Sequence, residues 1–147
     1  MEKDDREELA EKLKEWEELG KSTFWGLLGC EFERLEEKAA VISLTIEPKH
    51  LNMLGIVHGG VHATLIDCAM GLAVMRENPY ENSVTTNLNL HYIAPAREGR
   101  VIATAEIVTR TRKTVHTIAR VHDEAGELLA FGTGSFRILE RKGGSPE

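Results

Sequence analysis

The chain is poor in several features, and each scarcity excludes a class of protein. It has two cysteines, Cys30 and Cys68, among 147 residues, which is too few for the disulfide framework of a small secreted domain. No apolar run approaches the roughly 20 residues that a transmembrane helix needs. The first residues, Met1-Glu2-Lys3-Asp4-Asp5, are charged and do not resemble a signal peptide. These shortages predict a cytoplasmic protein with reduced cysteines and no membrane partner.

Excess positive charge is also missing. The formal net charge is −6, and residues 1–20 carry nine acidic against four basic side chains. Without a basic face, the chain lacks the electrostatic footprint of a nucleic-acid-binding protein. One local basic cluster, Arg110, Arg112 and Lys113, lies at a predicted hairpin turn. It suits the phosphates of a small molecule, and an ordinary solvated turn accounts for it as well.

The length of the chain fits one domain with a core of its own. Within residues 2–19, apolar side chains recur at helical spacing: Leu9, Leu13, Trp16 and Leu19. Residues 1–20 are therefore predicted to form an amphipathic helix that docks by one apolar stripe. Residues 21–140 are predicted to be the main domain, and residues 141–147 a disordered tail.

The main domain combines one apolar helix with strand patterns. Residues 57–75 predict the helix, which Asn78-Pro79 ends. Alternating patterns predict six strands, at 26–36, 40–47, 83–94, 99–110, 114–123 and 127–140. Short links between successive strands indicate antiparallel pairing. We therefore predict an α+β fold in which a six-stranded antiparallel sheet curls around one central helix, with exposed edges that favour pairing with another copy.

The start of this helix carries the most informative motif, which runs from His58-Gly59-Gly60 to Asp67. Asp67 follows the glycines by about two helical turns and lies within an apolar run, where a carboxylate is costly unless it has a partner or a task. Free backbone N–H groups at a helix start favour a developing negative charge. A carboxylate and an oxyanion site together indicate acyl-group hydrolysis.

With Asn52 and the segment from Thr85 to Ala96, this motif resembles the hotdog-fold acyl-CoA thioesterases of the phenylacetic-acid-degradation type. The resemblance covers residues 24–140. It implies a hotdog fold and hydrolysis of an acyl-CoA to a carboxylic acid and free coenzyme A, without a metal or redox cofactor. It also implies at least a homodimer, with a homotetramer expected.

The resemblance assigns the central chemistry to Asp67 and Gly59. Asp67 attacks the thioester or activates a water, and these two routes stay open. The backbone N–H of Gly59 polarises the thioester carbonyl, and Gly60 belongs to the substrate-binding loop. The position one turn after the acid, where some aryl-CoA enzymes carry Thr or Ser, is Gly71 here.

The same resemblance implies auxiliary roles for other residues. Asn52 lines the reacting centre, His58 orders the loop or helps to hold the carbonyl, and Thr85 helps to place the water. Coenzyme A, which the resemblance implies as the thiol portion of the substrate, would supply the phosphates that the basic cluster Arg110, Arg112 and Lys113 suits. Structural alternatives stay open, since Asn is a common turn residue and Thr a common strand residue.

Other chemistries compete with this interpretation. His58 and His62 are four residues apart and could face one metal, but the glutamate usual in such motifs is replaced by Gly59. Cys68 adjoins Asp67, yet neighbouring helix positions point about 100° apart, so a core role is favoured over a nucleophile. A hydratase or dehydratase on the same fold, and a non-catalytic acyl-CoA-binding module, are the alternative functions.

Overall fold

The computed structural model describes residues 3–140, so the predicted disordered tail 141–147 lies outside the described residues. In chain order the elements are α1 (Lys3–Gly20), α2 (Phe24–Leu28), β1 (Cys30–Leu35), β2 (Ala39–Thr45), a 3₁₀ turn (Pro48–His50), α3 (Gly59–Glu77), β3 (Ser83–Tyr92), β4 (Arg100–Arg110), β5 (Thr114–Asp123) and β6 (Leu128–Ile138). The bounds of α3 and of β3 to β6 lie within a few residues of those predicted.

The strands form one antiparallel sheet in the order β1-β2-β4-β5-β6-β3. This confirms the predicted six-stranded antiparallel sheet. β1 and β3 are its two edges. β3 pairs with β6, and Thr85 lies opposite Phe136.

The helix α3 is enclosed by the concave face of the sheet. Its buried side chains lie on most sides of the helix because the sheet curls around it, and they include Leu65, Ile66, Met70 and Val74. A Cβ added at Gly134 of β6 would lie 2.8 Å from Met70 Sδ, so this glycine lets the sheet approach the helix. At Gly132 the close neighbour is instead the backbone of β3, with Asn89 O at 2.6 Å.

The predicted strand at 26–36 is wrong at its start. Residues Phe24–Leu28 form the short helix α2, and β1 begins only at Cys30. Gly29 ends the helix with a φ of 83°, a conformation that glycine adopts at little cost. A Cβ on Gly26 would lie 2.3 Å from Lys21 O. The two glycines therefore permit a compact helical turn where the apolar pattern resembles a strand.

The helix α1 docks through Leu9 and through Leu13, which packs against the core. Leu9 is buried, whereas Trp16 and Leu19, which were predicted to share the docking stripe, are exposed. Two polar contacts hold α1 beside the end of α3: Lys12 Nζ donates to Pro79 O at 2.6 Å, and Tyr80 Oη donates to Asp5 Oδ1 at 2.7 Å. Within residues 3–140, no helix is long and apolar enough to cross a membrane.

Candidate active site

The loop before α3 is organised by a buried histidine. His50 is fully buried, its Nδ1 accepts from Glu47 N at 2.8 Å, and its Nε2 lies 2.6 Å from Leu28 O. Because Nδ1 accepts, the ring hydrogen belongs on Nε2, which donates to Leu28. The His50 carbonyl in turn accepts from His58 N at 2.8 Å. Nothing in the sequence around His50 indicates this role, which depends on the contact with Leu28 in the folded chain.

Asn52 shapes the next part of the loop. Its Oδ1 accepts from Leu54 N at 2.9 Å and from Ile56 N at 3.3 Å. These two bonds fix the orientation of the amide, because only the oxygen can accept. The structural role that was left open for Asn52 is therefore present, and the Nδ2 group is the part of the side chain left for a substrate.

His58 caps the first turn of α3. Its Nδ1 accepts from Gly60 N at 2.8 Å, and its carbonyl accepts from Val61 N at 2.9 Å. Among the residues that the structure describes, no acceptor contacts the N–H of Gly59. Gly59 therefore carries a free donor at the positive end of the helix dipole.

Tyr92, at the end of β3, also contacts this helix start, and sequence reasoning missed it. Its hydroxyl donates to Gly59 O at 2.9 Å. A Cβ added at Gly59 would lie 3.2 Å from the Tyr92 ring, so the aromatic ring covers the glycine. The sequence signal was an aromatic residue shortly before Pro95-Ala96, but only the position of β3 beside α3 shows what it contacts.

Asp67 has the partner that its apolar surroundings require. Thr85 Oγ1 donates to Asp67 Oδ1 at 2.7 Å. Asp67 is half-buried and Thr85 is exposed on the edge strand β3, so the carboxylate stays open to a ligand from that side. The structure thus brings together two of the residues predicted for the site.

The structure does not bring Asp67 and Gly59 of one chain to the same point. Both lie on α3, eight residues apart, which is roughly 12 Å along the axis. Reacting groups must converge to about 3–3.5 Å around one carbonyl. A single chain therefore holds the two halves of the predicted chemistry apart.

The basic hairpin lies at the other end of α3. Arg110 Nη1 donates to Asn78 Oδ1, at the C-cap of the helix, while Lys113 Nζ lies 3.5 Å from Glu140 Oε1. Arg112 is exposed. The hairpin is thus roughly 28 Å from Gly59 of the same chain along the helix axis.

The alternative roles, a metal site at His58 and His62 and a nucleophile at Cys68, gain no support from the structure. His62 is buried, its Nδ1 has no hydrogen-bond partner within residues 3–140, and burial lowers its pKa. The exposed His58 already uses its Nδ1 as a cap, and the described residues contain no group of three metal-binding side chains. Burial raises the pKa of the Cys68 thiol to about 12, so the thiol stays protonated and is a poor nucleophile.

Comparison with known structures identifies the fold. The chain superposes with a TM-score of 0.72 on a mutant form of the phenylacetic acid degradation protein PaaI from Thermus thermophilus, at 31% identity over 79% of this chain and 98% of that one. It superposes with a TM-score of 0.77 on the putative esterase Rv1847/MT1895 from Mycobacterium tuberculosis, at 27% identity over 81% and 98% of the two chains. The sheet around α3 is the hotdog fold.

The family follows from the sequence. The profile of the thioesterase superfamily matches residues 54–130, more than half of the chain, and the protein belongs to that superfamily. It is 29% identical over 112 residues to acyl-coenzyme A thioesterase 13 from mouse, over 69% of this chain and 80% of that one. The resemblance to hotdog-fold thioesterases is confirmed, and the protein is a thioester hydrolase. These matches favour hydrolysis over the hydratase and the non-catalytic module, and the roles of individual residues stay predictions.

Proposed function

We propose that the protein hydrolyses acyl-CoA thioesters to a carboxylic acid and free coenzyme A. The coenzyme A portion is carried over from relatives such as acyl-coenzyme A thioesterase 13. The observation that carries the chemistry is the Asp67–Thr85 hydrogen bond at an exposed strand edge. It provides a carboxylate that is held in place yet open to a ligand.

In the proposed mechanism, Asp67 acts on the thioester carbonyl as a general base or as a nucleophile. As a base it takes a proton from a water whose oxygen attacks the carbonyl carbon. The Thr85 hydroxyl gives its one hydrogen to Asp67, so its lone pairs are left to accept from that water. As a nucleophile, Asp67 forms a mixed anhydride that water then hydrolyses. In both routes the thiolate of coenzyme A leaves and is protonated.

The free N–H of Gly59 is the proposed donor to the carbonyl oxygen as it gains charge. Fixed donors aimed at developing charge often contribute more to acyl-transfer catalysis than any other single effect. Asn52 Nδ2 and His58 Nε2 are auxiliary donors from the same loop. Gly60 contributes through its missing side chain, because its N–H is already bonded to His58 and an added Cβ would lie 3.0 Å from the His58 ring.

We further propose that each site contains Gly59 of one chain and Asp67 of another, in a homodimer or a larger assembly. Two helices running antiparallel across a two-fold axis bring the glycine of one chain to the carboxylate of the other, twice. β3 supports this arrangement, because it is a sheet edge whose side chains are exposed or half-buried along its whole length. Proteins seldom leave such an edge open. The outer face of the sheet supports the expected tetramer. Its apolar side chains Ile102, Ile118 and Phe131 are only half-buried in the single chain, and such apolar patches mark contact surfaces.

The basic hairpin is the proposed contact for the phosphates of coenzyme A. Arg110, Arg112 and Lys113 lie far from Gly59 of their own chain. In a two-chain site they would therefore bind an acyl-CoA whose thioester carbonyl is polarised by the Gly59 N–H of the other chain. The two free cysteines fit the reducing cytoplasm in which we place the enzyme.

The proposal is tested by Asp67→Asn, with Glu77→Gln on the exposed end of the same helix as the matched control. General-base assistance is worth roughly 100–10,000-fold, so Asp67→Asn should lower kcat by at least about 100-fold in a thiol-release assay. Glu77→Gln should leave kcat unchanged. Near-normal turnover by a folded Asp67→Asn protein would exclude Asp67 from the chemistry.

A further inference from the structure

The peptide between Gly59 and Gly60 is held at both ends by side chains. Its carbonyl oxygen accepts from Tyr92 Oη at 2.9 Å, and its N–H donates to His58 Nδ1 at 2.8 Å. Two adjacent glycines have wide conformational freedom and lose much of it on folding. Both bonds restrict that freedom at the residue that carries the free donor.

Tyr92 reaches this peptide from a different element, at the end of β3. Its side chain is largely exposed, yet the ring lies so close to Gly59 that an added Cβ would approach it to 3.2 Å. On the protein side the ring lies 6.2 Å from the ring of His62, at 58° between planes. The buried His62 ring thus gives the phenol a fixed neighbour one helical turn beyond Gly59.

We propose that Tyr92 is a positioning residue for the oxyanion donor, an inference that rests on the proposed function of Gly59. By holding the Gly59 carbonyl, the phenol fixes the first turn of α3 before substrate arrives. The Gly59 N–H then meets the developing charge without reorganisation, which is what makes such donors effective. Tyr92 acts through the peptide and takes no part in bond making or breaking.

The kinetic test is Tyr92→Phe, which removes only the hydroxyl, with Tyr80→Phe as the matched control. Tyr80 likewise donates its hydroxyl to another element, to Asp5 of α1. Loss of an oxyanion donor itself costs about 100–1,000-fold in kcat. Loss of its positioning should cost less, on the order of tenfold in kcat, with KM for acyl-CoA changed less than about twofold. Tyr80→Phe should change neither value.

A spectroscopic test separates this inference from the proposed function. Acyl-CoA labelled with ¹³C at the thioester carbonyl is bound to the slow Asp67→Asn protein, and its stretching frequency is measured by isotope-edited infrared difference spectroscopy. A hydrogen-bonded carbonyl should absorb at lower frequency than in free substrate, and adding Tyr92→Phe should reduce that shift. If Tyr92→Phe does not fold, Tyr92→Met, which also lacks the hydroxyl, takes its place.

Each outcome bears on a different claim. No shift in either protein would overturn the Gly59 donor and the inference with it. An equal shift in both proteins, together with an unchanged kcat in the Tyr92 variant, would overturn the positioning role alone. A reduced shift with a reduced kcat supports both.

Discussion

At the scale of single residues, the proposed site is built from the atoms that structural hydrogen bonds leave free. Asn52 uses Oδ1 in the loop, and His58 uses Nδ1 as a cap. Each side chain therefore has only N–H donors left. Gly59 adds a third donor at the same helix start. Asp67 and Thr85 instead offer acceptor lone pairs. Free hydrogen-bond donors thus lie in the loop and first turn of α3, and free acceptors lie near the middle of the helix. Acyl hydrolysis needs both, because donors stabilise the carbonyl oxygen and an acceptor takes the proton of the attacking water.

The hydroxyl of Thr85 should matter more for turnover than for binding. Thr85→Val keeps the shape but removes the donor to Asp67, and we expect kcat to fall on the order of tenfold, less than the loss of the base itself. Thr85→Ser should keep most activity. The control is Thr86→Val, whose hydroxyl donates to Ser135 O on the neighbouring strand. If the Val and Ser variants at position 85 have equal kcat in the thiol-release assay, the hydroxyl has no role.

The buried His62 should make stability depend on pH. Burial lowers its pKa in the folded state below the ordinary value of 6.5. Above that value the ring is neutral in both states and contributes nothing. Below it the unfolded chain binds a proton that the folded chain does not, so the free energy of unfolding falls as pH falls.

Urea unfolding at pH 7.5 and pH 5.5 checks this expectation. The drop in the free energy of unfolding between the two pH values should be smaller in His62→Phe, which cannot be protonated. It should persist in His116→Gln, which leaves His62 in place. An equal drop in wild type and His62→Phe would mean that another group causes it.

At the scale of elements, the sequence predicted those parts of the fold that depend on local pattern. α3 was visible as the one long apolar helical segment, and β4 and β5 were visible because turn residues bound their alternating patterns. α2 was missed because five residues are too few to show a helical period. The roles of His50 and Tyr92 were missed for a different reason. Each depends on a contact between elements far apart in sequence, which no local pattern encodes.

β3 illustrates why the site needs the tertiary structure. It runs antiparallel to α3, so that Thr85 near its start meets Asp67 and Tyr92 at its end meets Gly59. One edge strand therefore contacts both positions of the helix that are proposed to take part in the chemistry. The motif was readable in α3 alone, but the partners of the motif are set by the pairing of β3 with β6.

The β4–β5 hairpin should contribute to binding of the nucleotide part of the substrate. Replacing Arg110, Arg112 and Lys113 together by Ala should raise KM for acyl-CoA about tenfold. Hydrogen bonds to charged groups contribute about 1.5–3 kcal/mol each, but contacts made by side chains as open to solvent as these contribute less. A truncated acyl thioester that lacks the nucleotide should be hydrolysed unchanged. The charge-matched control replaces Lys21, Arg34 and Lys49, exposed cations whose ion-pair partners are Glu18, Glu36 and Glu47 and not residues of the hairpin or of the end of α3. Equal effects on both substrates would place the hairpin away from the phosphates.

At the scale of the whole molecule, the separation of Gly59 and Asp67 predicts how defects combine between chains. Asp67→Asn and Gly59→Val should each be inactive alone. In the second variant the added side chain meets the Tyr92 ring, which lies 3.2 Å from the Cβ position. In a heterodimer of the two variants, one site pairs the intact glycine of one chain with the intact carboxylate of the other. The second site contains both substitutions, Gly59→Val from one chain and Asp67→Asn from the other.

Such heterodimers, purified with two different tags, should recover about half of the wild-type kcat per dimer, as expected for one intact site in two related by a two-fold axis. The reciprocal pairing is the control. A chain that carries both substitutions, paired with a wild-type chain, should be inactive, because each of its sites then contains one defect. If every site lay within one chain, the two results would be exchanged: the first heterodimer would stay inactive and the second would keep half of the activity. The two preparations contain the same substitutions in the same number, so a difference in kcat between them reports only which chains share a site.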